Sequence, residues 1–230
     1  MGCRGDVRIT CRRGGGGPAL FAIILVAALG GCAPRSPTAS PGSAAPLFDG
    51  RTFRGWEGDT VATWRIENGA LVGGSLTANV PRNSFLATTR EYRNFVLRLK
   101  ARLVGTTGFV NGGVQFHSQR ATTPPNEMIG YQADYGAGYW GSLYDESRRN
   151  RTLVQPDSAL VARLVKVGDW NDMEVRAENG HIRIFLNGVQ TVDYTETDAG
   201  IPQSGRIALQ IHGGAVAEAS YRDIVIQELP

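Results

Sequence analysis

Beyond residue 32 the chain has no cysteine, because its three, Cys3, Cys11 and Cys32, all lie near the start of the 230 residues. A disulfide framework, a thiolate metal cage and a cysteine nucleophile are thereby excluded from everything that follows. Histidine is almost as scarce. His117, His181 and His212 stand far apart, with no HxH or HExxH spacing, and no Asp-rich calcium loop accompanies them. No G-x-x-x-x-G-K loop is present to cradle a phosphate, and no G-x-S-x-G elbow to present a serine nucleophile. Apolar residues at helical spacing are nearly missing, whereas 30 Gly and 11 Pro favour a chain of many turns.

The basic excess is an N-terminal property. Arg4, Arg8, Arg12 and Arg13 precede an apolar run, Ala19 to Leu29, that is too short to span a bilayer, which takes about 20 apolar residues. The pattern predicts a secretion signal over residues 1–31. The tetrapeptide LGGC (29–32) has the form of a bacterial lipobox, which would make Cys32 a lipid-anchored first residue. Residues 32–46 then read as a Pro/Ser/Ala tether. The expected location is the cell envelope, anchored to the outer membrane and facing the periplasm. Without residues 1–31 the 24 basic and 21 acidic side chains become 20 and 20. Only the short SRRNR cluster (147–151) resembles a phosphate-binding patch, so no nucleic-acid partner is expected.

From residue 47 onward the period is two. In NFVLRLKARLV, Phe95, Leu97, Leu99, Ala101 and Leu103 share one face and Val96, Arg98, Lys100 and Arg102 the other, the pattern of a half-buried strand. Asn-Gly pairs at 68–69, 179–180 and 187–188 each separate two strand-like segments and predict tight type I′ hairpins. Ile207, Leu209 and Ile211, then Tyr221, Ile224 and Ile226, continue the alternation. The expected fold is all-β: one antiparallel two-sheet sandwich over residues 47–230.

The stretch GYQADYGAGYWGSLYDESRR (130–149) stands apart, with four tyrosines and one tryptophan among glycines and charged residues. Its expected role is a ligand-gripping loop in which aromatic faces pack on a pyranose while Asp, Gln and Arg reach its hydroxyls. The alternative is an aromatic edge loop packing on its own sheet.

The segments LFDGRTFRGWEG (47–58), WRIENGALVGG (64–74), NFVLRLKARL (94–103), NGGVQFHS (111–118), GYQADYGAGYWGSLYDESRR, GDWNDMEVRAENGHIRIFLNGV (168–189) and GRIALQIHGG (205–214), in that order, resemble the 3-keto-disaccharide hydrolase family. The resemblance implies a concanavalin-like jelly roll and a glycoside whose C3 hydroxyl has been oxidised to a ketone. Such a ketone acidifies the C2 hydrogen and lets the C1 substituent leave by elimination, after which water adds back. The chemistry needs a base and a stabiliser of the enolate. Asp134 and His117 are the candidate bases, and His212, Arg148 and Arg149 the candidate charge stabilisers. Gln132, Tyr135, Trp140, Tyr144, Asp145 and Glu146 are expected to contact the sugar. No cofactor is called for, although a divalent ion held by distant residues would suit an enolate. The rival reading is a non-catalytic carbohydrate-binding module. In that reading Asp145, Glu146, Arg148 and Arg149 form a surface ion-pair cluster.

Overall fold

The computed structural model describes residues 42–136 and 138–230. The expected signal, the Cys32 anchor and most of the tether lie outside the described residues. Fifteen strands follow in chain order: β1 (Ala44–Pro46), β2 (Trp56–Glu57), β3 (Trp64–Glu67), β4 (Ala70–Ser75), β5 (Ser84–Tyr92), β6 (Phe95–Gly108), β7 (Asn111–Arg120) and β8 (Met128–Gly136). After them come β9 (Ser142–Glu146), β10 (Arg151–Val154), β11 (Asn171–Glu178), β12 (His181–Leu186), β13 (Val189–Thr195), β14 (Gly205–Ile211) and β15 (Ala215–Glu228). One antiparallel sheet runs β13-β12-β11-β6-β15-β4-β3, with β1 on β15. The other runs β10-β9-β8-β7-β14-β5-β2. Two stacked sheets of this kind are the jelly-roll sandwich that the alternation implies.

The predicted hairpins form for the predicted reason. Asn68, Asn179 and Asn187 have φ of 49°, 51° and 49°, and the glycines after them 75°, 82° and 83°, so both central residues of each turn are left-handed. These turns fix register: Leu97 lies opposite Val175 and Val175 opposite Ile184, while Leu99 lies opposite Met173 and Met173 opposite Leu186. All six side chains belong to the core between the sheets. Burying each contributes about 1.5–3 kcal/mol relative to exposure. On the other sheet the same core takes Val114, Phe116, Tyr131, Ala133, Tyr135 and Leu143.

The sequence pattern did not announce the one short helix among the described residues, α1 (Ser158–Leu164), in which no residue is buried. Its start is local. The Asp157 carboxylate accepts from the Leu160 backbone N–H at 2.7 Å, an N-cap that a seven-residue periodicity is too brief to reveal.

Candidate functional site

The stretch from 130 to 149 is sheet rather than a long loop. β8 pairs with β7 and β9, and among the described residues of the stretch only 138–141 and 147–149 are turns. Since alternate side chains of a strand leave on opposite faces, Tyr131, Ala133 and Tyr135 enter the core and Gln132 and Asp134 point away from it. The alternation is visible in YQADY once aromatic residues are read as the buried set. In the same way Leu143 and Asp145 of β9 turn inward, and Ser142, Tyr144 and Glu146 outward. From β7 and β14, between the inward Val114, Phe116, Leu209 and Ile211, come the outward Gly113, Gln115 and Gln210.

Register gathers these residues into a patch. Gln210 lies opposite Gly113, Gly113 opposite Asp134 and Asp134 opposite Ser142. In the next row Gln115 lies opposite Gln132 and Gln132 opposite Tyr144. Gly113 makes room for the Gln132 side chain, which lies across the centre: a Cβ there would stand 2.4 Å from the Gln132 amide carbon. Beneath the patch the Tyr221 hydroxyl reaches the carbonyls of Gly113, at 3.0 Å, and Gln210, at 2.5 Å, which pins the two central strands from the core side. Gly113→Ala is therefore expected to keep the fold while displacing the Gln132 side chain. A rise in KM or Kd for a bound sugar, with an unchanged circular dichroism spectrum, is the outcome to look for.

The electrostatics of the patch are unusual for an outward sheet face. Asp134 is only 5% exposed, and its pKa is pushed up to about 7, chiefly by desolvation, with the Glu146 charge adding to it. Against this, the Asn111 amide donates to Asp134 Oδ1 at 2.8 Å, and the Gln132 side chain and the Tyr135 backbone also favour the anion. Glu146 is likewise pushed up to about 7, by burial first and then by the neighbouring Glu127 carboxylate. The Gln210 amide donates to it at 3.4 Å. Burial also raises the Tyr144 hydroxyl. Several buried polar atoms here have no partner: both ends of the Gln115 amide, Oε1 of Gln132 and of Gln210, and Oγ of Ser142. Leaving such atoms unmade costs about 1–3 kcal/mol each, so their accumulation on one face points to a ligand.

Other expected residues lie elsewhere. Tyr135 is wholly buried between the sheets, its ring 5.3 Å from that of Trp140 and 5.8 Å from that of Tyr221. It cannot share a hollow with Asp134, its neighbour in sequence, because the pleat sends the two to opposite faces. Trp140 packs on that same core and lines a separate groove of about 640 Å³ beside α1, with Leu103, Val110 and Val161. The aromatic wall expected of Tyr135 and Trp140 is thus absent from the Asp134 face, where Tyr144 is the aromatic side chain of the patch.

His117 is also turned inward. A bulge interrupts the pairing of β7 after Phe116, and His117 takes φ of 47°. Its ring lies 5.7 Å from Phe95, 5.6 Å from Phe116 and 6.3 Å from Tyr131, with Nε2 2.7 Å from the Arg93 carbonyl. Burial pushes its pKa down to about 4, the state of a neutral core histidine. His212 follows β14 at the margin of the patch, and its backbone N–H donates to the Asn111 carbonyl at 3.1 Å. Its Nδ1 lies 2.7 Å from the Gly213 carbonyl, and its ring centre 4.7 Å from that of the exposed Phe109.

Asp145, Arg148 and Arg149 form a network of their own. The fully buried Asp145 pairs with both arginines, Arg149 also holds Glu196 at 2.7 Å, and Glu196 accepts from the Tyr131 hydroxyl at 2.6 Å. The Arg148 guanidinium lies 4.5 Å from the centre of the Tyr131 ring. These charges close the inner side of β8 and β9 and are not brought to Asp134. Conversely, Asn111, Gln115 and Gln210 belong to the patch and were not foreseen. QADYG and GGVQFHS each place a polar side chain between apolar ones, and that was the available signal. Among the described residues no group of three or more His, Cys, Asp or Glu side chains is placed to hold a metal ion.

The family model described as the 3-keto-alpha-glucoside-1,2-lyase-like domain matches residues 43–227. No curated protein sequence matches the chain. Among solved structures, a candidate glycosyl hydrolase from Parabacteroides distasonis is similar in fold, with 20% identity and a TM-score of 0.61, over 81% of this chain and 94% of that one. A carbohydrate-binding module from Bacillus subtilis, 14% identical, has a TM-score of 0.59 over 76% of this chain and 96% of its own. A Bacillus subtilis protein of unknown function with a galectin-like fold, 11% identical, has a TM-score of 0.58 over 81% and 94%. At these identities the likeness is one of fold.

Proposed function

Because this chain belongs to the 3-keto-alpha-glucoside-1,2-lyase-like domain family, we propose that the Asp134 face binds a glycoside oxidised at C3 and cleaves it by elimination. The observation that carries the proposal is the pair of carboxylates on one outward face, buried Asp134 and half-buried Glu146, both pushed up to about 7 by loss of solvent. Two such groups divide naturally into a base and an acid at neutral pH. Asp134 is the better anion, since Asn111, Gln132 and the Tyr135 backbone all donate toward it. Glu146 faces the Glu127 charge and so better keeps its proton.

In the reaction, ionised Asp134 removes the proton from C2. The electron pair moves to form the C1–C2 double bond through the enolate of the C3 ketone, the C1–O bond breaks, and Glu146 protonates the departing oxygen. Addition of water across the double bond would then complete a net hydrolysis. The sugar hydroxyls would be met by Oε1 of Gln132 and Gln210 and by Ser142, the acceptors that lack partners.

A non-catalytic carbohydrate-binding module is the second reading, favoured by the fold shared with such a module. Incubating the purified protein with an aryl 3-keto-glucoside and its unoxidised parent separates the two. Release of the aryl alcohol from the ketone alone supports cleavage, and binding without release would leave only the module. A lipid anchor at Cys32 and an envelope location are further parts of the proposal, carried by the sequence of residues 1–46. Retention of tritiated palmitate by the wild type and not by Cys32→Ser tests them.

A further inference from the structure

Among the buried side chains of the described residues, one amide nitrogen lacks a partner, Nε2 of Gln115. The other two amides of the patch are committed. Gln132 directs its side-chain amide to Asp134, and Gln210 donates to Glu146 at 3.4 Å, which leaves each with a free carbonyl oxygen. A free amide oxygen can only accept, so both call for a hydroxyl on the ligand. Gln115 differs in kind. It is wholly buried, and whichever way its amide is turned it presents one donor and one acceptor to whatever occupies the face. Ser142 also lacks a partner, but a hydroxyl rotates and serves either role beside Asp134, which it opposes in register.

Position agrees with chemistry. Gly113 opposes Asp134, and Gln115, two residues along the same strand and on the same face, is the diagonal neighbour of Asp134. Diagonal pairs stand about 7–8 Å apart at their stems, within reach of two side chains converging on adjacent atoms of one sugar ring. With no side chain at Gly113, the Gln132 side chain lies over this strand, its amide carbon 2.4 Å from where a Gly113 Cβ would stand, so a ligand between Gln115 and Asp134 would also meet the Gln132 amide.

Resting on the cleavage reading above, we propose that Gln115 is the residue that distinguishes a ketone from a hydroxyl, by donating its amide N–H to the C3 oxygen while Asp134 faces C2. In the ground state this bond selects the oxidised sugar. As the C2 proton leaves, charge gathers on the same oxygen and the bond strengthens, so Gln115 also stabilises the enolate. A buried donor aimed at a carbonyl rejects the unoxidised sugar only in part, since a hydroxyl can still accept. Loss of the donor, however, removes the preference altogether.

The test uses 1,5-anhydro-3-ketoglucitol and 1,5-anhydroglucitol, which lack a C1 leaving group, with the purified wild type, Gln115→Met and Gln115→Glu. Calorimetry should give a wild-type preference for the ketone of about tenfold or more. Gln115→Met should bring the ratio close to one, and Gln115→Glu should invert it. Ser142→Ala removes a hydroxyl contact common to both sugars, so it should weaken both and keep the ratio. For a cleavable aryl 3-keto-glucoside, Gln115→Met should lower kcat by about 10²–10³-fold, the usual effect of losing one oxyanion donor. A wild-type ratio preserved in both Gln115 variants, or equal loss of both ligands in folded Gln115→Met, overturns the assignment while leaving the cleavage reading intact. Failure of the wild type to bind either sugar would instead remove the cleavage reading, and the assignment with it.

Discussion

Asp134→Asn is expected to lower turnover of a 3-keto-glucoside by about 10²–10⁴-fold, the contribution typical of a positioned general base. The substitution is nearly isosteric and keeps an acceptor for the Asn111 amide, so the fold and sugar affinity should survive. The pH profile sharpens the prediction. A base must be ionised, so the rate should climb as pH rises through about 7, where Asp134 loses its proton. An acid must be protonated, so the rate should fall as Glu146 ionises, also at about 7. Because the two carboxylates interact, the two limbs belong to the pair, and a narrow bell centred near neutrality is expected. Glu146→Gln should remove the alkaline limb and slow release of poor leaving groups most. Full activity in Asp134→Asn would exclude the base assignment.

The same carboxylate should make the protein less stable in alkali, and the sign follows from linkage. Asp134 has a folded pKa of about 7 against an ordinary value of 3.8, so the folded state holds this proton more tightly than the unfolded chain. Its stabilising contribution is complete below 3.8 and is lost as pH rises through about 7. Above that, keeping the anion buried costs about 4 kcal/mol, at roughly 1.36 kcal/mol per pKa unit. Asp134→Asn should therefore raise the urea midpoint at pH 8.5 and leave it nearly unchanged at pH 4. Glu146, displaced in the same direction, should add to the alkaline sensitivity. Equal midpoints for variant and wild type at pH 8.5 would mean that Asp134 is well solvated in the native protein. A residue that weakens the fold at the pH where it is ionised is retained for what it does to a ligand.

The fold is shared with both a glycosyl hydrolase candidate and a carbohydrate-binding module, so it does not choose between the two readings. A binding module needs hydroxyl partners and gains nothing from two carboxylates held near neutrality. On the proposed reading that pair, rather than the fold, is what sets cleavage apart from binding.

How much of the molecule was legible beforehand differs by element. The strand over 95–103 and the three Asn-Gly hairpins could be read directly, because period-two burial and left-handed turn residues are local properties of a few neighbouring residues. In sequence the segment from 130 to 149 has the look of a gripping loop, since four tyrosines among glycines and charges suit ligand contacts. Three of its aromatic side chains, Tyr131, Tyr135 and Trp140, pack on the core instead. Asp134 was recognised by type, while Asn111, Gln115 and Gln210 passed as ordinary polar positions. Nothing local distinguishes a glutamine on a bound face from one in water.

By itself, then, the sequence determined the all-β sandwich and its turns, because alternation and Asn-Gly chemistry act within one strand or hairpin, and its ordered segments carried the resemblance to the family. Tertiary structure alone decided which face each functional group occupies. A shift of one residue moves a side chain to the other side of a sheet, so Asp134 and Tyr135 part company and the bulge at His117 turns that ring into the core. It also decided the neighbours of Asp134: Gly113 is 21 positions earlier and Gln210 is 76 positions later, brought beside it by strand pairing that no short stretch of sequence records.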